Sequence, residues 1–171
     1  SSDVCSSDLE ATNEFDNLIG FDMRTDGERG SFLNLPSKNN KDSIIDNIDF
    51  SSGAFSPIQM NGQEVYKFAV REVPIILEKL LNKMNYTSDE VDWLVLHQAN
   101  QRILDSVGDR LKIPGEKIIS NLEKYGNTSA ATIPLVIDEA IRNNRIKQND
   151  IIATSGFGAG LSWGAALIKW G

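Results

Sequence analysis

One cysteine and one histidine occur in the 171 residues. A single thiol excludes both an internal disulfide framework and a four-thiolate metal site, and no metal is expected. Proline is sparse at five, and with 13 glycines the chain is neither collagen-like nor of low complexity. Basic side chains fall short as well: 17 Lys and Arg face 24 Asp and Glu, giving a formal charge of −7. That balance argues against a nucleic-acid partner, because phosphate contacts need a basic face. No signal peptide is legible, since the first residues carry two Asp and no apolar run. Long apolar runs are also scarce. Ile151 to Ile168 is 18 residues without a charge, the lower edge of a membrane span. Gly156, Gly158, Gly160 and Gly164 interrupt it, so two buried strands joined by a glycine loop explain it better. A soluble, cytoplasmic chain with no membrane partner is expected.

With 40% hydrophobic residues the chain can bury a core, and its length suits one domain. Residues 1–9, SSDVCSSDL, look foreign to the rest and read as a translated sequencing adapter. Without them the charge would be −5 and no cysteine would remain. On that reading the authentic segment begins near Glu10, upstream sequence is missing, and Cys5 is no nucleophile.

Asn17–Arg24 reads as a strand. Thr25–Ser52 reads as a long polar excursion, with a short strand at Phe32–Leu35. Gln63–Met84 carries Val65, Ala69, Val73, Ile76, Leu77, Leu80 and Met84 at three- and four-residue steps, one helical stripe. Pro74 inside it should kink the helix or split it in two. A strand–helix rhythm follows: strand Asp92–Leu96, helix Asn100–Leu111, strand Lys117–Ser120, helix Ser129–Asn143, then strands Ile151–Ser155 and Leu161–Lys169. Such alternation predicts a layered α/β sheet with helices on both faces.

Unusual residues gather at strand ends. His97-Gln98-Ala99-Asn100 follows one strand, Tyr125-Gly126-Asn127-Thr128-Ser129 lies beyond the next, and Gly156-Phe157-Gly158-Ala159-Gly160 follows a third. In open α/β sheets ligands collect beyond the carboxyl ends of strands. His97 could be a hydrogen-bonded structural histidine, or could donate or accept a proton near neutral pH. Asn127 could be ordinary turn chemistry, or an amide N–H aimed at a developing oxyanion. Asn100 could be only a helix cap. GFGAG lacks the GxGxxG spacing of a phosphate loop and precedes a strand-like run, which weighs against a nucleotide-binding domain.

Taken together, HQAN (97–100), YGNTSAA (125–131) and GFGAGLSWGAAL (156–167) closely resemble the C-terminal half of the 3-oxoacyl-[acyl-carrier-protein] synthase III family. The likeness runs from about Leu9 to Gly171. It implies a thiolase-like half with a five-stranded mixed sheet. It implies the catalytic pair His97 and Asn127, with the nucleophilic Cys on an N-terminal half outside these residues. The implied reaction loads acetyl from acetyl-CoA onto that thiol, decarboxylates malonyl-carrier protein and condenses the two, with no cofactor. His97, as a neutral Nε2–H donor, and the Asn127 amide would hold the enolate oxygen.

By the same likeness Gly158 and Ala159 offer oxyanion N–H groups and Phe157 lines the pocket. Gln63 and Asn100 are candidates for the pantetheine arm. Lys67, Arg71, Arg102 and Arg110 would dock the acidic acyl carrier protein, or else are scattered solvated charges. The complete enzyme should be a homodimer, and this half should expose an apolar face toward the other and be inactive alone. A nonenzymatic scaffold of the same fold and a chalcone-synthase-like half are the alternatives.

Overall fold

A computed structural model describes residues 17–35 and 57–171. The expected adapter at 1–9, and the excursion from residue 36 onward, lie outside the described residues. Leu18–Thr25 forms β1, and a 3₁₀ turn at Gly27–Phe32 leads to a two-residue strand, β2 (Leu33–Asn34), paired with β3 (Gln59–Met60). Helix α1 spans Gly62–Lys83; β4 is Trp93–Leu96 and α2 is Gln101–Leu111. Then come a single turn, α3 (Leu122–Tyr125), α4 (Thr132–Arg142), and the long strands β5 (Ile151–Gly158) and β6 (Ser162–Lys169).

The main sheet is mixed, in the order β1-β6-β5-β4: β4 runs parallel to β5, and β5, β6 and β1 pair antiparallel. Alternation along the strands sends side chains to two cores. Leu94 and Leu96 of β4, and Ala153 of β5, pack with α1 and α2. Val95 and Ile152, one residue out of step, pack with Val136 and Ala140 of α4. Helices therefore cover both faces, as a period of two with apolar residues on each side requires.

Three expectations need correction. The strand Lys117–Ser120 is a single parallel bridge, Leu94 to Ile118, beside a 3₁₀ turn at Gly115–Lys117. A longer ladder is pre-empted because the Gln98 side chain takes the carbonyl of Ile119 at 3.4 Å and the N–H of Asn121 at 3.2 Å. The fifth sheet position is thus held by one bridge and a side-chain clamp.

Pro74 neither splits nor ends α1, which continues through it for 22 residues. Proline forfeits one backbone bond inside a helix. Here Phe68, Ala69 and Val73 before it, and Ile76, Leu77 and Leu80 after it, are all buried in one core, and that packing keeps both segments in a single helix. Finally, Gly156-Phe157-Gly158 lies within β5, and the chain reverses only at 159–161. Among the described residues, Phe21 and Met23 of edge strand β1 are 58% and 75% exposed, and Ile58 and Met60 are exposed too.

Candidate functional site

His97 follows the last residue of β4, and its N–H donates to the Ser155 carbonyl at 2.9 Å, extending the parallel pairing by one bond. The neighbouring position on β5 is Gly156. A Cβ there would sit 3.5 Å from Ile133 Cδ1 and 3.9 Å from His97 Cβ, so the missing side chain leaves room between sheet and α4. The imidazole meets Phe157 edge-on, ring centroids 5.4 Å apart at 83°. Phe157 in turn contacts Phe68, and Phe68 contacts Trp163. An aromatic series thus fixes the ring's outer wall to the core.

On the other side, His97 Nδ1 lies 2.6 Å from Thr132 Oγ1. Thr132, buried at 1% exposure, is the first residue of α4, and its hydroxyl donates to the Ser129 carbonyl at 3.0 Å. Ser129 has a left-handed backbone, φ +57°, and its N–H donates to Asn127 Oδ1 at 2.8 Å. That bond uses the carboxamide oxygen and leaves the Nδ2 amine, two N–H donors, free to point elsewhere on an exposed residue. The link His97–Thr132–Ser129–Asn127 is continuous, so the two groups from different strand ends meet at one place. A pair of this kind can donate hydrogen bonds to an anionic oxygen or exchange a proton with a ligand.

Burial pushes the His97 imidazole below its ordinary value. The unfolded chain therefore takes up the proton first as pH falls. The resulting stability is fully present above the unfolded value of about 6.5 and is lost as pH drops from there through the folded value. The thermal midpoint is accordingly expected to fall more steeply on acidification in wild type than in His97→Gln. Parallel curves would dismiss the effect.

The other sequence candidates are placed as follows. Gly158 ends β5 opposite Ser162, and Ala159 lies exposed in the reversal. Asn100 caps α2, its Oδ1 accepting from the Arg102 N–H at 2.9 Å. Gln63 is exposed in the first turn of α1, whose cap is instead Asn61, accepting from Glu64 N–H at 3.2 Å. Lys67 pairs with Glu64 and Arg71 with Glu72, each at 2.7 Å. Arg102 lies over the Tyr66 ring at 4.9 Å, and Arg110 is exposed in the last turn of α2. The structure brings His97, Asn127 and Phe157 together, with Gly158 and Ala159 at the adjoining hairpin. The four cations lie on α1 and α2 instead.

Sequence reasoning passed over Gln98, Ser129 and Thr132. Gln98 is fully buried, its amide donating to the Leu96 carbonyl at 2.7 Å as well as to Ile119. A glutamine directly beside the one histidine, after an apolar strand, was the available signal. Among the described residues no cluster of His, Cys, Asp or Glu could hold a metal, and no helix is long and apolar enough to cross a membrane.

Residues 81–170 match the family described as 3-oxoacyl-[acyl-carrier-protein (ACP)] synthase III C terminal. The beta-ketoacyl-[acyl-carrier-protein] synthase III of Prochlorococcus marinus strain MIT 9301 is 94% identical over 163 residues, 95% of this chain and 49% of that protein. The enzyme of the same name from Synechococcus sp. strain WH7803 is 58% identical over 162 residues, 48% of its length. Among solved structures, 3-oxoacyl-[acyl-carrier-protein] synthase III from Aquifex aeolicus superposes with a TM-score of 0.77 at 34% identity, over 93% of this chain and 47% of that one. The Pseudomonas aeruginosa counterpart gives 0.79 at 30% identity, over 94% and 47%. The chain thus spans about half the length of the curated relatives it matches. A mixed sheet covered on both faces, one histidine and one asparagine joined at its strand ends, and these matches agree: the chain belongs to the 3-oxoacyl-[acyl-carrier-protein] synthase III C-terminal family.

Proposed function

We propose that this chain is the C-terminal half of a decarboxylative condensing enzyme that joins an acetyl starter to malonyl-acyl carrier protein. The observation that carries this reading is the junction of His97 and Asn127 through Thr132 and Ser129. A cysteine thiolate from the preceding half attacks the acetyl-CoA carbonyl; the acyl–S bond forms and coenzyme A leaves. The malonyl carboxylate then departs as CO2, and its bonding pair becomes the enolate of the carrier thioester. That enolate's carbon attacks the acyl-enzyme, expels the thiolate and gives 3-oxoacyl-carrier protein.

The difficult species is the enolate, whose charge rests on the thioester oxygen. The Asn127 Nδ2 donors and the protonated imidazole of His97 stabilise that oxygen more in the transition state than in the neutral thioester. Phe157, edge-on to His97, excludes water from the ring's flank, while Gly158 and Ala159 offer backbone N–H groups at the hairpin to the acyl-enzyme carbonyl. Gln63 and Asn100 line the approach of the pantetheine arm. Lys67, Arg71, Arg102 and Arg110, on the paired helices α1 and α2, attract the acidic carrier. Thioester exchange needs no cofactor, since the thioester is itself the electron sink. The complete enzyme acts as a cytoplasmic homodimer.

Incubating the complete enzyme with acetyl-CoA and malonyl-carrier protein is expected to release CO2 and 3-oxoacyl-carrier protein in equal amounts. The 171-residue chain alone should yield neither. Absence of both products with the complete enzyme, or condensation by this chain alone, would refute the reading.

A further inference from the structure

The geometry points to Thr132 as a positioning residue: its hydroxyl holds the His97 ring with the proton on Nδ1 and, through the Ser129 peptide, fixes that ring relative to Asn127. The inference rests on the functional reading only for what the ring does in catalysis. Its structural part stands on two distances.

Thr132 Oγ1 has one proton and two neighbours, His97 Nδ1 at 2.6 Å and the Ser129 carbonyl oxygen at 3.0 Å. Two oxygens at that separation need a proton between them, and only the hydroxyl can supply it. The hydroxyl is thereby committed to Ser129, and the 2.6 Å contact is an Nδ1–H donating to Thr132 Oγ1. The reverse assignment would leave two acceptor oxygens facing each other and Oγ1, on a residue 1% exposed, with no donor reaching it.

A neutral imidazole has one N–H, so Nε2 of the resting ring bears a lone pair. This corrects the expectation that neutral His97 donates from Nε2. The ring accepts there first and donates only after a second proton makes it an imidazolium. In the resting site the donor to a thioester oxygen is therefore Asn127 alone. Thr132 also sets where Nε2 points, because the bond to Nδ1 fixes the rotation of a ring already bounded by Phe157 on its other side.

The test uses the complete enzyme with ¹⁵N-labelled histidine, the His97 signals being those lost in His97→Ala. At about pH 8, above the ordinary imidazole range, wild type should show a protonated Nδ1 and a bare Nε2. Thr132→Val keeps the shape and removes the hydroxyl. It should lose the Nδ1–H preference and lower kcat for malonyl decarboxylation about tenfold, one hydrogen bond's effect. KM should stay within about threefold, because the lost contact acts on the ring and not on the substrate. Thr132→Ser should restore both the ring signal and most of the rate. Protonation at Nε2 in wild type overturns the assignment even if Thr132→Val fails to fold; so does a Thr132→Val enzyme with the wild-type ring signal and full kcat. A wild-type enzyme that releases no CO2 overturns the functional reading instead, and the ring signal still decides the role of Thr132.

Discussion

Alanine at His97 or at Asn127 in the complete enzyme is expected to slow malonyl decarboxylation by about 10²–10³-fold, the usual cost of removing one donor from an oxyanion site. The two groups reach the site from different strand ends, yet a single turn ties them together. They should accordingly behave as one unit, with the double variant much less than the product of the two singles slower. Loading of the acetyl group depends chiefly on the thiol and should suffer less in Asn127→Ala than decarboxylation does. Neither substitution threatens the fold, because Asn127 is exposed and His97 only half-buried. CO2 release is read directly with labelled malonyl-carrier protein; normal release in both variants would remove them from the mechanism.

Replacing Gln98 by Leu should destabilise the complete enzyme by about 2–4 kcal/mol, because each buried polar group left unpaired costs about 1–3 kcal/mol. Leucine preserves most of the volume, which separates lost hydrogen bonds from a cavity. Three groups lose a partner: the carbonyls of Leu96 and Ile119 and the N–H of Asn121. Those are the bonds that join the end of β4, just before His97, to the segment leading through α3 to Asn127. Decarboxylation should fall along with stability, since the two halves of the site lose their shared anchor. A denaturation free energy within roughly 0.5 kcal/mol of wild type, the range of an ordinary surface change, would mean that the clamp contributes nothing.

Much of this arrangement was legible beforehand, and the reasons differ by residue. The α1 stripe declared itself because seven apolar residues recur at helical spacing, and only the effect of Pro74 was misjudged: an isolated helix breaks at proline, whereas one buried on both sides of it does not. Asn100 was readable as a cap and is one. His97 and Asn127 could be placed at neighbouring strand ends from the strand–helix rhythm alone. The fifth strand could not be read correctly, because Ile118 and Ile119 have strand character while the partner of their backbone is a glutamine side chain from another segment. Glycines at 156 and 158 read as a loop because local rules treat glycine as punctuation; in the sheet, Gly156 instead makes space for a neighbour. Thr132 gave no signal at all. Its importance arises from what lies across from it, and no local pattern reports that.

The left-handed residue at Ser129 has a consequence for redesign. Both functional groups hang from the two faces of one peptide segment, amide to Asn127 and carbonyl to Thr132. They cannot be retuned independently by editing that turn, since any shift transmits to both at once. Altered acyl preference has to come from the opposite wall, where Phe157 can change size while the suspended pair keeps its spacing.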